Sequence, residues 1–180
     1  MIMKAFISTL LASIAIATPA VAGSLPADHQ QFLNTMANDG VHVHINEPAQ
    51  ACFDNTGMSG SYVVFEGERF LVVCQDNRKN SDVVEWTAND LDTIRHEGFH
   101  IIQDCMAGDN NDMVFDTVFT DLDDVIDNLG VPEAMNIMSA YSRTYEKDRH
   151  GDIRYELEAF YAARDYSASE LNSMYHRYCM

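Results

Sequence analysis

Thr87-Ala88-Asn89-Asp90-Leu91-Asp92-Thr93-Ile94-Arg95-His96-Glu97-Gly98-Phe99-His100-Ile101-Ile102-Gln103-Asp104-Cys105-Met106 marks the point where this chain turns from strands to helices. Thr87 offers an N-cap hydroxyl, and Asp90 follows three residues later, a variant of the capping box. Ala107-Gly108-Asp109 breaks the pattern at the other end. With Asp92 set at 0° and a step of about 100° per residue, Gln103, His96, His100, Asp104 and Glu97 fall between about 20° and 140°. Ile101, Ile94, Cys105, Gly98, Leu91 and Ile102 fall between about 180° and 280°. One helix thus carries a chemical stripe beside a core stripe.

Upstream of this helix the signals are mostly those of strands. Pro26 to Asn38 reads as a short helix stopped by Gly40, and Val41 to Ile45 alternates with period two. Ser61 to Phe65 and Arg69 to Cys74 flank Glu66-Gly67-Glu68, a hairpin signal. Downstream, helices are predicted over Met113 to Asn128, from Pro132 to about Lys147, and over Asp152 to Tyr166. A terminal helix starts at Ser167-Ala168-Ser169-Glu170, a second capping box. A small antiparallel β region followed by helices predicts an α+β fold in a single domain over 23–180. The 180 residues, 47% of them hydrophobic, suffice for one sizeable core. The 28 acidic against 11 basic residues give a net charge of −17, which repels phosphate backbones and argues against nucleic-acid partners.

His96-Glu97-Gly98-Phe99-His100 is an H-E-x-x-H motif. Two histidines four apart on a helix reach one metal ion, and Glu97, rotated by about 100°, stands beside it as a general base. Chance yields roughly 0.015 such motifs in a chain of this composition, so the match is informative. Two His and one carboxylate are a catalytic zinc set that leaves a position open for water. No His stands at position 106, which excludes the metzincin pattern. The third ligand is sought on the downstream helix, in Arg154-Tyr155-Glu156-Leu157-Glu158-Ala159.

Together the two motifs resemble those of gluzincins, metallopeptidases whose third zinc ligand is a Glu from a second helix. The resemblance covers about ten residues around His96 and six around Glu156. It implies a minimal zincin-like domain, one zinc per chain held by His96, His100 and Glu156, and peptide hydrolysis with Glu97 as base. Membrane-type gluzincins have Asp directly after the Ala of this second motif. Here that residue is Phe160, and Asp104 is the candidate to orient a histidine instead. Periodicity separates the two glutamates: Glu156 falls at about 300° within an apolar arc, whereas Glu158 falls at about 140° beside Asp165. Glu156 is therefore the expected ligand and Glu158 an expected surface residue.

Lys4, the apolar run Ala5 to Ala17 and Ala20-Val21-Ala22 read as a signal peptide over residues 1–22. Secreted or periplasmic location follows, without lasting membrane association. In an oxidising compartment the four cysteines form two disulfides, with Cys52–Cys74 and Cys105–Cys179 the favoured pairs. The chain is expected to be monomeric, with a peptide or protein substrate. A zinc hydrolase of non-peptide amides and a secreted metal-binding protein without turnover are the rival readings. His42 and His44 share a strand face, and Asp121, Asp123 and Asp124 lack the spacing of a calcium loop. Asp109 to Asp112 is a polar loop that would rim the site. Tyr155, Tyr161, His150 and Arg154 are candidate oxyanion donors.

Overall fold

The computed structural model describes residues 24–54, 57–108, 112–148 and 153–180, and within 142–148 only the backbone. The expected signal peptide over residues 1–22, His150 and most of the Asp109–Asp112 loop lie outside them. The long helix of the opening run is α2, Ala88–Ala107. Both bonds of its capping box form: Thr87 Oγ accepts from the Asp90 N–H, and the Asp90 carboxylate accepts from the Thr87 N–H. Ahead of it come α1 (Ala27–Asn38), β1 (Val41–Ile45), β2 (Gly60–Phe65) and β3 (Glu68–Val73). After it come α3 (Leu122–Leu129), α4 (Val131–Asp148), α5 (Ile153–Asp165) and α6 (Ala168–Tyr178). The chain is mixed α+β.

The three strands lie in the order β1-β3-β2. β2 pairs antiparallel with β3 through the expected hairpin, but β1 pairs with β3 in parallel, Val41 opposite Arg69 and Ile45 opposite Val73. The antiparallel expectation is corrected here. Parallel pairing requires a crossover of about a dozen residues or more, and residues 46–59 with the hairpin beyond them provide one. β3 is the central strand; Leu71, Val72 and Val73 are buried, as expected for a strand covered on both faces.

The main core sits between one sheet face and α1, α2 and α6. Phe32, Leu71, Ile94, Phe99, Ile101, Ile102, Leu171 and Tyr175 are all fully buried in it. Gly98, between the two motif histidines, is where α1 closes on α2. A Cβ there would lie 2.6 Å from Phe32 Cε1, so any side chain would push α1 away. Two disulfides form, Cys52–Cys74 and Cys105–Cys179, as the sequence predicts. The first clips a short helical turn, Gln50–Asp54, over the other sheet face. The second ties the end of α6 to the last turn of α2.

A smaller core joins α3, α4 and α5 through Val125, Leu129, Ala134, Ile137 and Leu157. Here a second expectation fails. The helix predicted over Met113 to Asn128 begins only at Leu122, where Asp121 takes the N-cap and its carboxylate accepts from the Asp123 N–H at 2.9 Å. Residues 113–119 form neither helix nor strand and cross α2 instead. The Asp116 N–H reaches the Gln103 carbonyl at 3.0 Å, and Phe119 stacks on Phe99. Burying Phe115 and Phe119 on α2 outweighs the helical propensity of this stretch.

Candidate metal centre

α2 and α5 pack against each other and bring three donor groups together. His96 and His100 project from successive turns of α2, with their Nε2 atoms 3.2 Å apart. Glu156, in the first turn of α5, places Oε2 3.2 Å from His96 Nε2 and Oε1 3.6 Å from His100 Nε2. All three side chains are buried. Four-coordinate zinc with bonds of about 2.05 Å has donor–donor edges of about 3.3 Å. The three spacings match that edge, and two imidazoles with a carboxylate are the donor chemistry such an ion takes. The group could hold a metal ion.

Electrostatics without the ion point the same way. Burial disfavours a charged His100, but the adjacent Glu156 carboxylate overrides it and, with Glu97 and Gln103, pushes the imidazole up to about 9. Burial would raise Glu156, yet the two imidazoles hold its carboxyl well below the usual range. A buried carboxylate facing two imidazoles demands positive charge, from a proton or from a metal.

The two histidines are oriented differently. His100 Nδ1 donates to Gln103 Oε1 at 2.8 Å, leaving Nε2 as the donor toward the site. Gln103 is held in turn: its Nε2 donates to the Tyr155 carbonyl at 3.1 Å and to Glu158 Oε2 at 3.2 Å. Glu158 Oε2 also accepts the Val118 N–H at 3.0 Å, and Arg154 Nε lies 3.5 Å from Oε1. The surface position expected for Glu158 is thus wrong, for its exposure is 0%. A helical wheel of α5 cannot show the segment around Val118 that covers this face. Asp104, expected to orient a histidine, accepts a short hydrogen bond from the Tyr62 hydroxyl. Gln103 does that work, and its only sequence signal was its place on the chemical stripe.

His96 is positioned by packing. Its Nδ1 is buried without a hydrogen-bond partner among the described residues, and Phe160 packs edge-on against the ring with centroids 4.5 Å apart. Phe160 thus contacts His96 where the gluzincin pattern would place a carboxylate. Phe115 stacks on His100 at 5.4 Å. The 113–119 segment, expected as helix from sequence, therefore packs against one of the donor histidines.

Glu97 leaves the donor group and turns to β2. Its Oε2 accepts the Tyr62 N–H at 2.8 Å. Close approach of strand and helix is needed for this bond, and Gly60 permits it. A Cβ at Gly60 would lie 2.5 Å from Thr93 Cγ2 and 2.9 Å from Glu97 Cγ. His96 and Glu97 open together into a cleft of about 1050 Å³ between edge strand β2, α2, α4 and α5. Tyr141 of α4 lines it, and Phe160 lies between the rings of Tyr141 and His96. Burial, with Glu156 and Glu97 nearby, raises the Tyr141 hydroxyl, so it keeps its proton.

Other candidates fall elsewhere. Tyr155 faces Phe115, Tyr161 faces Phe119, and Arg154 donates to the Phe119 carbonyl. His42 pairs with Glu68 on the surface and stacks on Phe70, as does His44. Asp121 caps α3. The two disulfides are compatible with an exported protein. No helix among the described residues is long and apolar enough to cross a membrane. No protein-family model, curated protein or solved structure matches this chain, so the geometry of the three donors and the cleft beside them carries the functional argument.

Proposed function

We propose that this chain is an exported zinc-dependent peptidase of gluzincin type. The observation that carries the reading is the buried group of His96, His100 and Glu156 at tetrahedral-edge spacings, of which His96 meets the cleft together with Glu97. His96, His100 and Glu156 would hold the zinc, which when bound supplies Lewis-acid polarisation of the scissile carbonyl and lowers the pKa of water. Glu97 takes the proton from the attacking water and passes it to the leaving amine. The Tyr62 N–H fixes one oxygen of Glu97, leaving the other for that transfer. Tyr141, protonated and on the cleft wall, is the candidate donor to the developing oxyanion. A cleft of about 1050 Å³ suits several residues of peptide better than a small amide.

Metal analysis and a peptide-library digest, with and without chelator, test this reading together. About one zinc per chain and chelator-sensitive cleavage are expected. Glu97→Gln should retain the zinc and lose turnover. Absence of a stoichiometric transition metal after zinc is supplied refutes the metal centre, and wild-type turnover by Glu97→Gln refutes the base.

A further inference from the structure

Resting on the peptidase reading, we propose that the cleft selects a long cationic side chain, so that the substrates are basic peptides cut beside Lys or Arg. The argument starts from how α4 presents itself to the cleft. Glu133, Ile137 and Tyr141 are spaced by four and line one face of that helix. Tyr141 marks the donor-group end, through its contact with Phe160 and the contact of Phe160 with His96. The helical rise puts Glu133 about 12 Å further along α4. Between them lies apolar wall: Leu129 and Ile137 from the smaller core, and Phe160.

The charges sort along the same axis. Asp92, about 6 Å along α2 from His96, lines the cleft as well but is paired with Arg95. Arg164 is the sole cation among the described lining residues. Its guanidinium is engaged by Asp165 and by the Asn128 and Leu129 carbonyls at the end of α3. No ion pair among the described residues includes Glu133, which is exposed at the rim. A side chain entering from the reacting centre would pass apolar surface first and meet a carboxylate at its far end. Lys and Arg are the two side chains with an apolar stem and a cationic head. An acidic side chain would meet Glu133 and a protein of net charge −17, and would be repelled.

The test uses the zinc-loaded exported protein, wild type and Glu133→Lys. Glu85→Lys, an exposed position outside the cleft, matches the change in net charge. Peptide-library products are mapped by mass spectrometry. Binding of fluorescent Lys-containing and Glu-containing peptides to chelated protein is followed by anisotropy at about 0.15 M salt. Cleavage should concentrate beside Lys or Arg. Glu133→Lys should lower kcat/KM for the basic substrate by about tenfold, raise it for the acidic one, and shift binding likewise. Glu85→Lys should leave both near wild type. Cleavage without basic preference, or equal effects of the two variants, overturns this inference and leaves the peptidase reading standing. No cleavage of any peptide overturns the peptidase reading; the anisotropy preference for Lys peptide and its loss in Glu133→Lys then decide the cleft's selectivity alone.

Discussion

Replacing Glu158 probes a chain of contacts that runs from the α5 interior to the candidate metal centre. In Glu158→Ala the Val118 N–H and one Gln103 N–H lose their acceptor, and Arg154 loses its carboxylate. Each orphaned buried donor costs about 1–3 kcal/mol, so the two together cost roughly 3 kcal/mol before any cavity is counted. For a chain of this size that corresponds to a Tm lower by about 6–12 °C. The functional effect travels through Gln103. Without Glu158 its amide keeps only the Tyr155 carbonyl, and the acceptor of His100 Nδ1 is held less firmly. Loss of such an outer contact weakens metal binding by about 10- to 100-fold. Glu158→Gln keeps an oxygen for Val118 and Gln103 and sets its amide against Arg154, so about 1 kcal/mol and a smaller change in affinity are expected. Urea unfolding of chelated protein separates the stability term from metal linkage, and competition with a chromophoric chelator measures zinc affinity. Wild-type stability and affinity in Glu158→Ala would refute the relay and return this residue to the surface role its sequence position suggested.

Three further outcomes follow from the same geometry. Gly60→Ala should drive β2 from α2, costing about 1–3 kcal/mol and lowering kcat with Glu97 displaced, because its Cβ would sit 2.5 Å from Thr93 Cγ2; unchanged kinetics would show that the Tyr62–Glu97 bond does not matter. In the chelated protein His100 stays protonated up to about pH 9, above its ordinary value near 6.5. On the proposed zinc reading the ion displaces that proton at pH 7, so its apparent affinity should rise about tenfold per pH unit toward 9 and then level off. Calorimetry in buffers of different ionisation enthalpy should find about one proton released at pH 7, and finding none there contradicts the His100–Glu156 pairing. Removing the Cys105–Cys179 bridge, which closes a separation of 74 residues, should cost about 4 kcal/mol in the chain-entropy account. Thermal unfolding of the doubly substituted Cys105→Ala, Cys179→Ala chain measures it, and an unchanged Tm speaks against a stabilising role.

Local patterns in the sequence were enough for much of this protein. The capping boxes at Thr87 and Ser167, the 3.6-residue stripes of α2 and the hairpin around Gly67 depend on residues within a few positions of one another. Side-chain periodicity and backbone capping act over that range. For the same reason His96, Glu97 and His100 were visible as one constellation. Glu156 stood out as an acid in an apolar arc, and the stripe position of Cys105 agreed with its bridge to Cys179. The tertiary structure alone decided what depends on distant partners. The parallel pairing of β1, the non-helical course of 113–119 and the burial of Glu158 could not be read locally. Val118 lies 40 residues from Glu158 and supplies the hydrogen bond that lets a carboxylate remain buried. Gln103 became an orienting residue only because α5 brought the Tyr155 carbonyl and Glu158 to its amide. The cleft between β2 and α4 belongs to no single segment. Helical periodicity reports which face of an element is apolar, whereas the element that covers a face, and the polar group it brings, is settled by packing of the whole chain.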